Sequence, residues 1–202
     1  MSKDWLVTND GQCHPCPIPD DWEWTEKTYR LYRFLTDLDD ILESTQDDGQ
    51  ILAALRPLVR RLLTSSSWLQ EECLPPNLEQ GWSSLLLYDE PNYPLTIQTT
   101  VWLPGRKSSI HNHGTWAIVA LLDGEEKNTL WRRNPDEGYP DRIEQVGSQI
   151  LLPGDMISLT SDAIHQIEPV GDEPTVSFNV YGATDFSNRF EFDIVNHSAK
   201  KF

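Results

Sequence analysis

Residues 105–124 read GRKSSIHNHGTWAIVALLDG. His111 and His113 stand at i and i+2, so on an extended backbone both imidazoles leave the same face and can reach one ion. The apolar run Ala117-Ile118-Val119-Ala120-Leu121-Leu122 that follows is short, β-type and closed by the turn signal Asp123-Gly124. A chelating pair therefore leads directly into a strand.

The same pattern repeats on either side. LLLY (85–88), LTIQTTVWL (95–103), NTLWRR (128–133), SQILL (148–152), MISL (156–159), TVSFNVY (175–181) and RFEFDIV (189–195) are short β-type runs. Turn signals such as Pro104-Gly105 and Pro153-Gly154-Asp155 separate them, which predicts an antiparallel sandwich or barrel over 75–202. No alternation of strand and helix appears, so a parallel nucleotide-binding sheet is not expected. Upstream, Leu31, Phe34, Leu35, Leu38, Ile41 and Leu42 recur at helical spacing up to the stop Asp47-Asp48-Gly49. A second helical run, Ile51 to Leu63, contains Pro57, which is expected to kink it or start a new segment. These helices, within 25–74, are expected to cover one face of the barrel. Residues 1–24, with Pro15, Pro17 and Pro19, read as an extended arm.

A third imidazole is available at His165, in the apolar strand that begins Ala163-Ile164. Neutral imidazole suits Fe, Zn, Cu and Ni, so the ligand type narrows the metal without choosing one. Composition excludes other classes. The chain of 202 residues carries a formal charge of -16, which repels phosphate backbones and anionic headgroups, so neither nucleic acid nor membrane is an expected partner. No basic leader or membrane-length apolar run is present, and the three cysteines Cys13, Cys16 and Cys73 suit a reducing compartment, so the expected location is cytoplasmic. Cys13-His14-Pro15-Cys16 reads as part of a solvated arm, because the prolines after it prevent the strand-to-helix setting of a redox pair. With an acidic surface and no spare apolar helix stripe, a monomer or weak homodimer is expected.

Gly105-x5-His111-x-His113 with Gly124, and Pro153-Gly154-Asp155 with His165, resemble the two motifs of the cupin superfamily. The resemblance implies a double-stranded β-helix, or jelly roll, with a metal in its mouth. Two positions depart from the usual pattern: Ala117 and Ile118 stand where cupins carry a Glu ligand, and Pro169 where they carry an Asn. A set of three histidines without the Glu is typical of the thiol dioxygenase branch, the cysteine and mercaptopropionate dioxygenases. The segments Ser67-Trp68-Leu69, Leu86-Leu87-Tyr88, Val101 to Gly105, His111 to Trp116 and Gly124-Glu125-Glu126 are similar to that branch.

The resemblance implies an enzyme in which His111, His113 and His165 hold Fe(II), with Zn, Ni or Mn as alternatives, and a small thiol meets O2 to give a sulfinic acid. Ser177-x-Asn179-x-Tyr181 falls where the branch has Ser-x-His-x-Tyr, and strand alternation points the three side chains one way, so Tyr181, Asn179 and Ser177 are the candidate catalytic group. Asn179 keeps hydrogen bonding but cannot take up a proton near neutral pH. No thiol stands at 117 or 118 to crosslink Tyr181. The branch's carboxylate-binding Arg has no counterpart around Gly81-Trp82-Ser83-Ser84, and Arg132 or Arg133, one of which alternation aims inward, is the expected substitute. Trp116 is a candidate substrate contact, with barrel packing as its other reading alongside Trp102. The alternative function is a metal-binding cupin with a non-redox or metabolite-binding role, motivated by the missing Arg and relay His.

Overall fold

The computed structural model describes residues 2–18, 28–91, 93 and 95–202. In chain order these form β1 (Asp4–Val7), β2 (Cys13–Cys16), α1 (Leu31–Ser44), α2 (Asp48–Ser65), the single turn α3 (Trp68–Glu71), β3 (Trp82–Asp89), β4 (Thr96–Trp102), β5 (Ile110–His111) and β6 (Ala117–Asp123). They continue as β7 (Glu126–Arg133), β8 (Ile143–Leu151), β9 (Met156–Leu159), β10 (Ile164–Pro169), β11 (Thr175–Tyr181), β12 (Phe190–Asp193) and β13 (Ser198–Lys201).

The strands lie in two sheets, ordered β2-β1-β9-β6-β11-β4-β3 and β13-β12-β5-β10-β7-β8. From β4 to β11 the pairing is nested: β4 with β11, β5 with β10, β6 with β9 and β7 with β8. Such a long hairpin, folded over on itself, is the double-stranded β-helix. The fold is thus mainly β, a jelly roll with N-terminal helices.

Alternation along β6 explains its unbroken apolar run. Ala117, Val119 and Leu121 face Leu130, Leu151, Ile157 and Leu159 between the sheets. Ile118 and Ala120 face the other way, where Phe178 and Val180 of β11 pack with Phe34, Leu38, Leu52, Leu55, Val59 and Leu62 of the helices. A strand covered on both faces has no polar face to show. The helices are held there by this second apolar layer, which leaves the barrel mouth free of them.

Two details differ from the sequence expectation. α2 continues through Pro57, so no new segment starts there. Proline removes one backbone bond, but the buried stripe Leu52, Leu55, Val59 and Leu62 anchors the helix on both sides of it. Asp47 caps its start, accepting from Gln50 N at 2.9 Å. The arm, where described, is extended as expected but is sheet rather than free chain: β1 pairs in parallel with β9, and β2 pairs back on β1 as an edge that tolerates Pro15. Asp4 of β1 is buried and paired with Arg60 of α2, which ties the hairpin to the helix layer. Residues 19–24 of that arm lie outside the described residues. Among the described residues, no helix is long and apolar enough to cross a membrane.

Candidate metal centre

The nested pairing brings the histidines together. His165 of β10 is the direct cross-strand partner of His111 of β5, and the bend after β5 returns His113 to the same face. Gly114 makes that bend at a φ of 63°, and a Cβ there would lie 2.6 Å from the Asp185 carbonyl oxygen, so the position requires glycine. One ring nitrogen from each histidine falls within 4.8 Å of the others. His113 Nε2 and His165 Nε2 are 3.0 Å apart.

Two of the remaining nitrogens are already engaged. His111 Nδ1 lies 2.9 Å from the Ser109 carbonyl oxygen, to which it donates, and His165 Nδ1 lies 2.9 Å from Asn128 Oδ1. Each bond assigns the ring proton to Nδ1 and leaves an Nε2 lone pair facing the others. Burial lowers the pKa of all three, with His113 and His165 held well below the ordinary value of 6.5. Neutral rings with converging lone pairs are what a divalent transition metal requires, so the donor set fits one.

The histidines form the floor of a cavity of about 580 Å³. Tyr181 stands beside them, its ring 5.0 Å from that of His113. Burial first, and then the charge of Glu126, push its hydroxyl up to about 12, and Gln98 of β4 is a side-chain hydrogen-bond partner. Asn179 and Ser177 line the same wall; Asn179 Nδ2 donates to Ser177 Oγ at 3.2 Å and to Thr100 Oγ1 at 3.0 Å. The expected trio therefore shares one face, with Gln98 and Thr100 as additional members.

The cationic wall is elsewhere than expected. Arg132 is exposed and donates to Glu144 at 2.6 Å, while Arg133 stacks over Phe190 and Phe192. Neither lines the cavity: the pairing of β7 with β8 shifts register between Leu130 and Trp131, which breaks the alternation, and both side chains reach partners outside the cavity. Arg189, just before β12, lines it instead; its Nε is buried without a hydrogen-bond partner among the described residues, and its guanidinium lies 4.3 Å from the Phe202 ring centroid. Trp116 points into the apolar layer beneath the helices, packed on Gly182, whereas Trp102 stacks on Trp82 at the cavity wall. The three cysteines are free and away from the histidines.

Sequence reasoning missed Arg189 and Gln98, and behind the floor it missed Asn128 and Glu126. Arg189 follows a turn and carries no periodic signal. Glu126-x-Asn128-x-Leu130 did carry one, since the alternation that buries Leu130 also turns a carboxyl and an amide inward.

No protein-family model matches the chain. Similar solved structures include an oxalate oxidase in complex with the substrate analogue glycolate, at 12% identity over 57% of this chain and 57% of that one, with a TM-score of 0.43. A cupin superfamily protein from Desulfitobacterium hafniense is similar at 16% identity over 58% of this chain and 87% of that one, with a TM-score of 0.40. A cupin-2 domain from Rhodospirillum rubrum matches at 16% identity over 52% of this chain and 61% of that one, with a TM-score of 0.38. The strand pairing, rather than these distant likenesses, establishes the jelly roll.

Proposed function

We propose that the protein is a metal-dependent oxidoreductase of the thiol dioxygenase type, converting a small acidic thiol and O2 to the sulfinic acid. The observation that carries the reading is the convergence of three neutral, buried imidazoles on the floor of a cavity that also presents a phenol and an unpaired guanidinium nitrogen. Fe(II) held by His111, His113 and His165 would supply the redox chemistry that adds both atoms of O2 to sulfur, so that R–SH + O2 becomes R–SO2H with no further reductant.

The chain's own residues have separate tasks. Arg189 replaces Arg132 and Arg133 as the anchor for the substrate carboxylate, its free Nε giving a donor that a carboxylate can satisfy. Tyr181, with its proton held firmly at neutral pH, donates a hydrogen bond toward the reacting sulfur or oxygen atoms. Gln98 orients that hydroxyl, and Asn179, tied to Ser177 and Thr100, keeps the wall rigid without shuttling protons.

The test is anaerobic loading with Fe(II), followed by O2 consumption and product mass with mercaptopropionate, cysteine and cysteamine. Uptake with the two acids and weak uptake with cysteamine is the expected result. Full iron occupancy with no thiol-dependent uptake would overturn the reading and favour a non-redox role for the metal, with zinc, nickel or manganese in its place.

A further inference from the structure

Behind the floor of the site lies a short polar chain inside an otherwise apolar barrel. Glu126 and Asn128, two residues apart on β7, are both fully inaccessible to solvent. Asn128 Nδ2 donates to Glu126 Oε1 at 3.1 Å, and Asn128 Oδ1 faces His165 Nδ1 at 2.9 Å. Thr175 Oγ1 of β11 donates to the other carboxyl oxygen, Oε2, at 3.4 Å. Among the described residues, no cation is bonded to this carboxyl, and the two hydrogen bonds it accepts come from neutral groups.

The direction of these bonds matters because an amide has two different ends. In its ionised form, present at alkaline pH, the Glu126 carboxylate only accepts, so it obliges Asn128 to turn its NH2 toward Glu126 and its carbonyl toward His165. The carbonyl in turn only accepts, so His165 must carry its proton on Nδ1 and leave Nε2 bare. Were Glu126 a donor instead, Asn128 could reverse, its NH2 would face His165 Nδ1, and the ring proton would move to Nε2, where a metal has to bind.

We propose that Glu126 is a positioning residue that sets the tautomer of His165 through Asn128, and so keeps the Nε2 lone pair directed at the metal. The inference rests on the metal-site reading of the three histidines but not on the reaction proposed for it. It also accounts for a carboxyl in the barrel interior: the anionic ligand absent at Ala117 and Ile118 is replaced by a carboxylate two hydrogen bonds behind His165. Outer partners of this kind commonly change metal affinity by about 10- to 100-fold.

The test uses the full-length protein, stripped of metal and labelled with 15N-histidine. Long-range proton–nitrogen correlation spectra at pH 8.5 should show His165 as the Nδ1–H tautomer; an Nε2–H tautomer in the wild type overturns the proposal without any variant. Glu126→Gln can present a donor to Asn128, and should give a mixed or Nε2–H His165 and about tenfold weaker Zn2+ binding in competition with a chelator. The double variant Glu126→Gln with Asn128→Asp exchanges amide and carboxylate, so His165 again faces an acceptor; its tautomer and Zn2+ affinity should return to within a few fold of wild type. A purely structural Glu126 predicts no tautomer change and no rescue, and that result refutes the relay. If the tautomer responds as described while the wild type binds no Zn2+, the relay is supported and the metal reading fails.

Discussion

Replacing Glu126 by Gln should stabilise the metal-free protein in alkaline solution, and the size of the effect follows from burial. The carboxyl is wholly inaccessible and its pKa is raised from 4.5 to about 7, burial outweighing the bonds from Asn128 and Thr175. Between those two values the folded chain holds a proton that the unfolded chain has released. The associated stability is therefore fully present below about 4.5, declines as pH rises, and is lost above about 7. The interval corresponds to about 3 kcal/mol. Gln cannot ionise, so the variant escapes this loss while the other carboxyls and the three histidines are common to both proteins. Urea unfolding of chelator-treated wild type and variant at pH 5 and pH 8 isolates the term. Because pH 5 already lies above the unfolded value, the variant should gain about 2.5 kcal/mol on the wild type between the two conditions. A stability gap that is the same at both pH values would show that Glu126 is solvated, and the desolvation argument would fall.

His113→Ala removes one of three ligands and should abolish stoichiometric metal in protein purified without chelators, as measured by elemental analysis, with unchanged far-ultraviolet circular dichroism. Arg189→Leu should raise KM for mercaptopropionate by about 10- to 100-fold, from loss of a charge-assisted hydrogen bond of roughly 1.5–3 kcal/mol, and leave cysteamine turnover unchanged in oxygen-electrode assays. Leu55→Ala opens a cavity in the layer between α2 and the barrel and should cost about 2–5 kcal/mol in denaturant unfolding. Asp47→Ala loses the bond to Gln50 N at the start of α2 and should cost about 1 kcal/mol by the same measurement.

The eight β-type runs all appear as strands because short apolar and β-branched runs bounded by turn residues are a local property, written into each run separately. The helices were legible for the same reason: the stripe from Leu31 to Leu42 is buried at Phe34 and Leu38. Pro57 shows where local reasoning stopped, since a helix packed along its length can forgo one hydrogen bond that an isolated one could not. The arm shows the same in reverse, as its prolines indicated extended chain but not that β9 would accept β1 as a parallel neighbour.

At the site, the pair His111 and His113 and the wall of Ser177, Asn179 and Tyr181 were readable because each rests on a spacing of two to five residues. The choice of cationic residue was not. Alternation along β7 stops deciding at the register shift between Leu130 and Trp131, and Arg132 and Arg133 turn to Glu144 and the Phe190–Phe192 pair. Arg189 reaches the cavity through a turn between β11 and β12, a placement that depends on sheet-to-sheet packing and on no nearby spacing. The local order of residues thus specified the strands, the helix stripes and the i, i+2 histidine pair, all set by interactions of short range along the chain, whereas His165 joins that pair through cross-strand pairing. Which arginine faces the cavity, and which carboxyl stands behind His165, arise from cross-strand register, and register is settled only when both sheets bury their inner faces together.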